Sequence, residues 1–376
     1  MKLINNPFVI GKYVSPDYFC DRESESLTLK HHIRNERNVV LMSERRIGKT
    51  GLIEHCMNSP EWADNYYCFF IDIYAAHNLK EMVVELANSV CTTLNARQKG
   101  FLDRVGNLLR SIQATISYDS VSGMPQMSFS LGQVDHPEKT LDEILSLLET
   151  ADRPCIVAVD EFQQITEFDE DNMEALLRTK IQHLKNVQFI FAGSKRHLLD
   201  GIFNSPQRPF YNSVVFMQLS PIALEAYSAF ARRLFANAGR TIDPELIGLV
   251  YRNFDGITWY LQLFMNEAFA CTEQGGIISV DCYDVILQHL IDTKRFTFEE
   301  RYAQLTEPQK AVLKALAREF PYTANMLSKE FLTRHSLKTA SRVQSAVKSL
   351  VNNGIVSQSG THRQISDYLF AYWLKQ

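Results

Sequence analysis

The sequence has no apolar run long enough to cross a bilayer. Nothing in it approaches the ~18 uncharged apolar residues of a membrane helix, so no membrane partner is expected. The opening residues, MKLINNPFVIGKY, are too short and too polar for a secretory signal. The seven cysteines (Cys20, Cys56, Cys68, Cys91, Cys155, Cys271 and Cys282) are scattered, odd in number and without CxxC spacing. That excludes a zinc ribbon and a disulfide framework, and fits a reducing, cytoplasmic setting. Low-complexity segments, internal repeats and a base-specific GTP motif are also lacking. What remains is ordinary for a globular chain: 376 residues, 45% apolar and 22% charged, enough for two or three domains.

The net charge of −4 conceals an asymmetry. Residues 305–376 hold 6 Lys and 4 Arg against 3 Glu and 1 Asp, a balance of +6, so the rest carries −10. A basic tail on an acidic body points to an anionic partner or to a solvated surface on a small domain.

The most informative stretch is 39–50, VVLMSERRIGKT. An apolar run, Val39 to Met42, reads as a buried strand. It feeds a loop ending Gly48-Lys49-Thr50, where an amphipathic helix begins. This is the phosphate-loop pattern G-x-x-x-x-G-K-[ST], with Ser43 in place of the first glycine. A serine there is tolerable only if the backbone avoids a conformation reserved for glycine. A second apolar run, Cys155 to Val159, ends in Asp160-Glu161, about 110 residues downstream. Together the two segments predict binding of ATP or ADP with Mg²⁺.

Triphosphate is highly anionic, so its site must offer close donors. Backbone N–H groups near Gly48 and the positive end of the following helix supply them. Ser43, Arg46, Ile47, Gly48, Lys49, Thr50 and Gly51 form the expected nucleotide-binding set. Lys49 is expected at the β and γ phosphates. Thr50 and Asp160 are the expected Mg²⁺ ligands, since that ion takes hard oxygens and keeps several waters. Glu161 is the candidate that polarises an attacking water.

Strands are expected at 39–42, 67–73, 155–159 and 187–192, with helices between them. Residues 114–131 alternate about Ser122-Gly123 and predict an inserted β-hairpin. Alternating strands and helices imply parallel crossovers, hence an α/β fold with helices on both faces of a parallel sheet, and the phosphate-loop pattern makes it of the P-loop NTPase kind. The expected division is an α/β core over 1–220, a helical lid over 221–304, and a third unit over 305–376. In that last unit a helix capped by Thr306 is followed by helices at 323–334 and 336–352. A hairpin at 355–365 then completes a winged-helix pattern.

The chain also resembles a known family, the archaeal-type P-loop ATPases, an AAA+-related branch of the STAND nucleotide switches. The resemblance spans nearly the whole sequence. It rests on Tyr18-Phe19-Cys20-Asp21-Arg22-Glu23, Arg45-Arg46-Ile47-Gly48-Lys49-Thr50 and Val159-Asp160-Glu161-Phe162-Gln163. Phe191-Ala192-Gly193-Ser194, the segment Gly256 to Leu261 and the tail Asp367 to Leu374 complete it. By this resemblance, Phe19 and Arg22 lie in the lead-in that flanks the adenine base, although plain core packing also accounts for Phe19. Ser194 is placed as a sensor of the γ-phosphate and counted with Glu161 and Lys49 as catalytic. Gly256 falls in the lid segment that touches nucleotide. Arg45, Arg46 and Arg208 are arginines that contact phosphate, act on a neighbouring subunit, or simply solvate the surface.

The resulting expectation is a slowly hydrolysing, Mg²⁺-dependent ATPase that works as a molecular switch, alone, as a homo-oligomer or with a protein partner. Two alternatives stay open: a nucleotide-controlled DNA-binding regulator, and a non-hydrolysing nucleotide-binding scaffold. For the first, the third tail helix offers Lys338, Thr339, Ser341, Arg342, Gln344, Ser345 and Lys348, with His362 and Arg363 at the wing. Winged helices also serve as internal clamps, so intramolecular contact stays open beside DNA contact.

Overall fold

The structure, a computed structural model, describes residues 5–97, 115–118, 125–128, 134–321, 326–359 and 362–376. It divides into two compact units. One is Gly11–Ile222; the other joins residues 5–10 to Ala223–Gln376.

The first unit is built on a parallel sheet of five strands: β1 (Val39–Met42), β2 (Tyr67–Asp72), β5 (Cys155–Asp160), β6 (Val187–Gly193) and β7 (Val215–Gln218). Their spatial order is β2-β5-β6-β1-β7. Helices Glu23–Arg34, Lys49–Met57, Pro60–Asn65, Leu79–Arg97, Pro137–Glu149, Met173–Ile181 and Arg196–Asn204 connect and flank these strands. The inner strands β5 and β6 are buried at every position, which is why they read as unbroken apolar runs. The edge strand β2 alternates instead. A cluster of Phe162, Phe191, Phe203 and Phe210 packs beneath the β5–β6 end; Phe162 lies 4.3 Å from Phe191 and 5.7 Å from Phe210.

β7 was not expected. It has four residues, pairs with β1 alone, and leaves Phe216 41% exposed, so it carries neither a long run nor clean alternation. Helix Arg196–Asn204 was also unforeseen, although Leu199, Ile202 and Phe203 bury one face of it. The hairpin is present as β3 (Thr115–Tyr118) against β4 (Pro125–Ser128), antiparallel with Thr115 opposite Ser128. Its expected turn at Ser122-Gly123, and the helix beyond Arg97, lie outside the described residues.

In the second unit, helices Leu224–Asn237, Pro244–Asn253, Thr258–Cys271, Tyr283–Asp292 and Arg295–Ala303 follow one another. A small parallel pair interrupts the helical stretch, β8 (Thr241–Ile242) with β9 (Ile277–Ile278). The expected core of 1–220 differs at its start, because residues 5–10 pack with this unit. Phe8 is fully buried among Phe230, Phe235 and Phe269, with ring centroids 5.5 to 6.3 Å away. Asn6 Nδ2 donates to the Asn266 carbonyl at 2.8 Å, and Asn266 Nδ2 returns a bond to the Phe8 carbonyl at 2.7 Å.

The tail holds helices Glu307–Arg318, Lys329–Arg334 and Ala340–Asn352, the hairpin β10 (Val356–Ser359) with β11 (His362–Ile365), and a final helix Tyr368–Lys375. A capping box between Thr306 and Gln309 starts the first helix. The third starts at Ala340 rather than Ser336, because Ser336 has φ +54° and Thr339 is the N-cap. The last helix is tied to the preceding helical stretch by tyrosines. Tyr260 Oη donates to Asp367 Oδ1 at 3.2 Å and accepts from the Tyr368 N–H at 3.0 Å. Tyr368 Oη donates to Asp255 at 2.6 Å, and Tyr372 Oη to the Asn253 carbonyl at 2.9 Å. Burial pushes the Tyr283 hydroxyl up to about 12. No described helix is long and apolar enough to cross a membrane.

Candidate nucleotide site

The site begins where β1 ends. That strand lies between β6 and β7, where the chain's path through the sheet reverses and open α/β sheets leave a crevice at the carboxyl ends. The loop after it carries two residues in the left-handed region, Arg46 at φ +68° and Gly48 at φ +101°. Glycine takes that conformation without a Cβ penalty, and nothing lies within 4 Å of where a Cβ on Gly48 would point. Gly48 is also the N-cap of helix Lys49–Met57, and no side chain caps that end. The first-turn N–H groups therefore suit an anion.

Ser43 is fully buried, and its backbone stays out of the left-handed region, so a side chain is tolerated there. Its hydroxyl donates to the Glu44 carbonyl at 2.8 Å and accepts from Lys49 Nζ at 3.2 Å. Lys49 is only 6% exposed. Burial lowers its pKa, while Asp160 and Glu161 pull the other way. A buried ammonium facing two carboxylates lies at the floor of the loop.

Across β6, the carboxyl end of β5 presents the acidic pair. Thr50 Oγ1 donates to Asp160 Oδ2 at 2.6 Å, bringing together the two segments that lie 110 residues apart. Asp160 is 5% exposed, and burial raises its pKa against the opposing bonds from Thr50 and the Glu161 N–H. A hydroxyl and a carboxylate side by side are hard oxygen donors that fit Mg²⁺. Among the described residues no cluster of three or more His, Cys, Asp or Glu is placed to hold a metal. Phosphate oxygens and water would have to supply the remaining positions.

Glu161 follows at φ +53°. Its carboxylate accepts from Ser194 Oγ at 3.1 Å and 2.9 Å, and from Gln163 Nε2. Ser194 stands just after β6, so it is the neighbouring strand end that reaches this carboxylate.

The lead-in residues lie on the far side of the loop. The Phe19 ring rests over Gly51, with a Cβ at Gly51 meeting Phe19 Cε2 at 3.6 Å. It also stacks on His55 at 4.3 Å and 11°. Tyr13 closes this group, with its hydroxyl 3.3 Å from His55 Nδ1. Burial lowers the His55 pKa. Arg22 is 3% exposed and bonds Glu25 at 2.6 Å and the Ile47 carbonyl at 3.3 Å, so its guanidinium braces the phosphate loop. Gly256 belongs to the second unit. It sits at φ +66°, and its N–H closes helix Pro244–Asn253 on the Tyr251 carbonyl at 3.0 Å. Arg208 grips Glu174 through both Nε, at 2.9 Å, and Nη2. Sequence reasoning gave no role to Gln163, Tyr13 or His55. The signals were slight: Gln163 closes the segment Val159 to Gln163 two residues past Glu161, and His55 lies one helical turn past Gly51.

Known proteins agree with this architecture. A family model described as "Probable winged helix domain" matches residues 296–376. No curated protein matches the sequence. Among solved structures, a Walker-type ATPase of Pyrococcus abyssi is similar over 98% of this chain and 100% of its own, with 17% identity and a TM-score of 0.63. The ORC2 protein of Aeropyrum pernix, solved as ADPNP–ADP complexes, is similar over 98% and 95%, with 15% identity and a TM-score of 0.60. The ORC1 protein of the same organism, in complex with DNA, is similar over 96% and 93%, with 14% identity and a TM-score of 0.50. The chain thus shares the fold of these structures, a parallel α/β sheet with flanking helices, and residues 296–376 match a winged-helix model.

Proposed function

We propose that this chain binds ATP and ADP in the loop 43–51 and hydrolyses ATP slowly, as a nucleotide switch. The single observation that carries the reading is the 2.6 Å bond from Thr50 to Asp160, which brings the loop and the acidic strand end together. Lys49 and the N–H groups at the start of its helix bind the phosphates. Thr50 and Asp160 hold Mg²⁺, which when bound neutralises phosphate charge. Glu161 orients a water and accepts its proton as the terminal phosphoryl group is transferred. In this reading Phe19, which lies over Gly51, flanks the base. Slow turnover is expected because no arginine is assigned to the transferred phosphoryl group: Arg208 is engaged by Glu174, and Arg45 and Arg46 belong to the phosphate loop itself. The Aeropyrum pernix ORC2 protein, with its ADPNP–ADP complexes, supports a nucleotide here by likeness of fold.

The test is phosphate release together with nucleotide affinity. Lys49→Ala is expected to weaken ATP binding by at least about tenfold, by removal of a charge-assisted contact. Glu161→Gln is expected to keep ATP binding and lower phosphate release about a hundredfold. Equal phosphate release by wild type and Glu161→Gln rules out Glu161 as the group that activates water.

A second reading is favoured by one surface. Lys338, Thr339, Ser341, Arg342, Gln344, Ser345 and Lys348 are all exposed along helix Ala340–Asn352 and the turn before it. Such a basic and amide-bearing face suits duplex DNA, and the ORC1 protein of Aeropyrum pernix was solved with DNA. DNA-controlled or DNA-controlling behaviour predicts a duplex affinity that falls steeply with salt and weakens further in Lys348→Glu. No binding at low salt removes this reading.

A further inference from the structure

Gln163 is among the most deeply buried polar side chains of the chain, at 2% exposure, and hydrolysis as usually drawn gives it nothing to do. We propose that Gln163 is a positioning residue for Glu161, and that Gly193 is glycine because the Gln163 amide needs its space. This rests on the hydrolytic reading above.

Three observations meet at this point. Gln163 Nε2 donates to Glu161 Oε2, on the same carboxylate that Ser194 Oγ engages at 2.9 Å and 3.1 Å. Gln163 Oε1 is buried and has no hydrogen-bond partner among the described residues. A Cβ built on Gly193 would lie 2.0 Å from that oxygen, 3.0 Å from Leu199 Cδ1 and 3.2 Å from the amide carbon, so the Gln163 oxygen is by far its closest neighbour. The distances to the amide oxygen and carbon differ by about one C=O bond length, so the amide carbonyl points nearly end-on at the place a Gly193 side chain would take. A hydrogen on the Gly193 α-carbon is what that oxygen meets, a weak contact at best. An unsatisfied buried oxygen is tolerated where the rest of the group is held for a purpose.

The segment that carries Gln163 is anchored on both sides. Phe162 before it is 1% exposed and packs on Phe191 at 4.3 Å. Gln164 after it donates to the Ala76 carbonyl at 3.3 Å. The Gln163 donor is thus fixed in place before any ligand arrives. It also distinguishes the two carboxylate oxygens of Glu161. Oε2 receives donors from both Gln163 and Ser194, whereas Oε1 receives Ser194 alone. A carboxylate has about four acceptor positions, so Oε1 keeps more of them open and is assigned as the atom that faces the water.

The test compares wild type, Gln163→Met, Gly193→Ala and the double variant. Methionine keeps the volume and loses the donor. Expected is a kcat lowered about tenfold or more in Gln163→Met, with the KM for ATP within about twofold, since a misaligned base slows the step without weakening binding. Gly193→Ala gives the same split by displacing the amide, and the double variant loses no more than Gln163→Met alone. A readout independent of turnover is the side-chain ¹⁵N–¹H signal of Gln163, assigned by its disappearance in Gln163→Met. It is expected to shift in Gly193→Ala and in Ser194→Ala. A wild-type kcat in Gln163→Met, or an unmoved Gln163 signal in Gly193→Ala, overturns the proposal. A wild type that binds ATP without turning it over overturns the hydrolytic reading and this role together, whereas turnover that survives Gln163→Met overturns this role alone.

Discussion

Lys49 shows how one residue can be costly to bury and useful to the site. An ammonium at 6% exposure has lost most of its water, and burial outweighs the pull of Asp160 and Glu161 on its pKa. Removing the cation alone would leave Asp160 and Glu161 without the charge they face, and breaking a buried charge pair from one side is commonly destabilising. Lys49→Met is therefore expected to lower the Tm of the nucleotide-free protein by at least roughly 2–4 °C, and to abolish the rise that ATP gives the wild type. Thermal denaturation with and without ATP checks both halves, and an unchanged ATP response counts against a phosphate at this lysine. The residues of the proposed site differ in how plainly the sequence displayed them. Lys49, Thr50, Asp160 and Glu161 stand inside short contiguous patterns at strand ends. Arg22 did not declare its contact with the Ile47 carbonyl, because that bond spans 25 residues and depends on Arg22 sitting at φ +67°. Ser43 also needed the structure: its tolerance turns on a backbone angle, not on its identity.

At the scale of elements, termini are set by local chemistry. Thr306 and Gln309 satisfy each other's end of helix Glu307–Arg318, with the Thr306 N–H donating to Gln309 Oε1 at 2.8 Å. Thr306→Ala removes one half of that box and is expected to cost about 1 kcal/mol, read by denaturant unfolding, while ATP affinity stays as in wild type. Strands divided by their place in the sheet. β5 and β6 are covered on both faces, and so wrote themselves as long apolar runs. β7 is an edge strand with two exposed positions among four, and its sequence resembles many loops. Its existence is a consequence of β1 offering an open edge, which no local pattern encodes.

At the scale of the molecule, residues 5–10 join a unit whose remainder starts at Ala223. Phe8 is the anchor, fully buried with Phe235 at 5.5 Å. Phe8→Ala is expected to destabilise that unit by about 3–5 kcal/mol, as large buried aromatics do when truncated. Amide hydrogen exchange in helices Leu224–Asn237 and Thr258–Cys271 is the measurement, and unchanged protection there contradicts the assignment. The same unit joins the helical stretch to the winged helix through Tyr260, Asp367, Tyr368 and Asp255.

The sequence by itself determined the kind of sheet, the placement of a phosphate-type loop before a helix, and an acidic pair at a second strand end. It did so because each depends on neighbours along the chain: apolar runs, a glycine before a lysine, carboxylates closing a strand. Only the tertiary structure decided that Thr50 meets Asp160, that Gln163 and Ser194 share the carboxylate of Glu161, and that residues 5–10 pack with the unit that starts at Ala223. Those are contacts between segments far apart in sequence, made by strand order and packing.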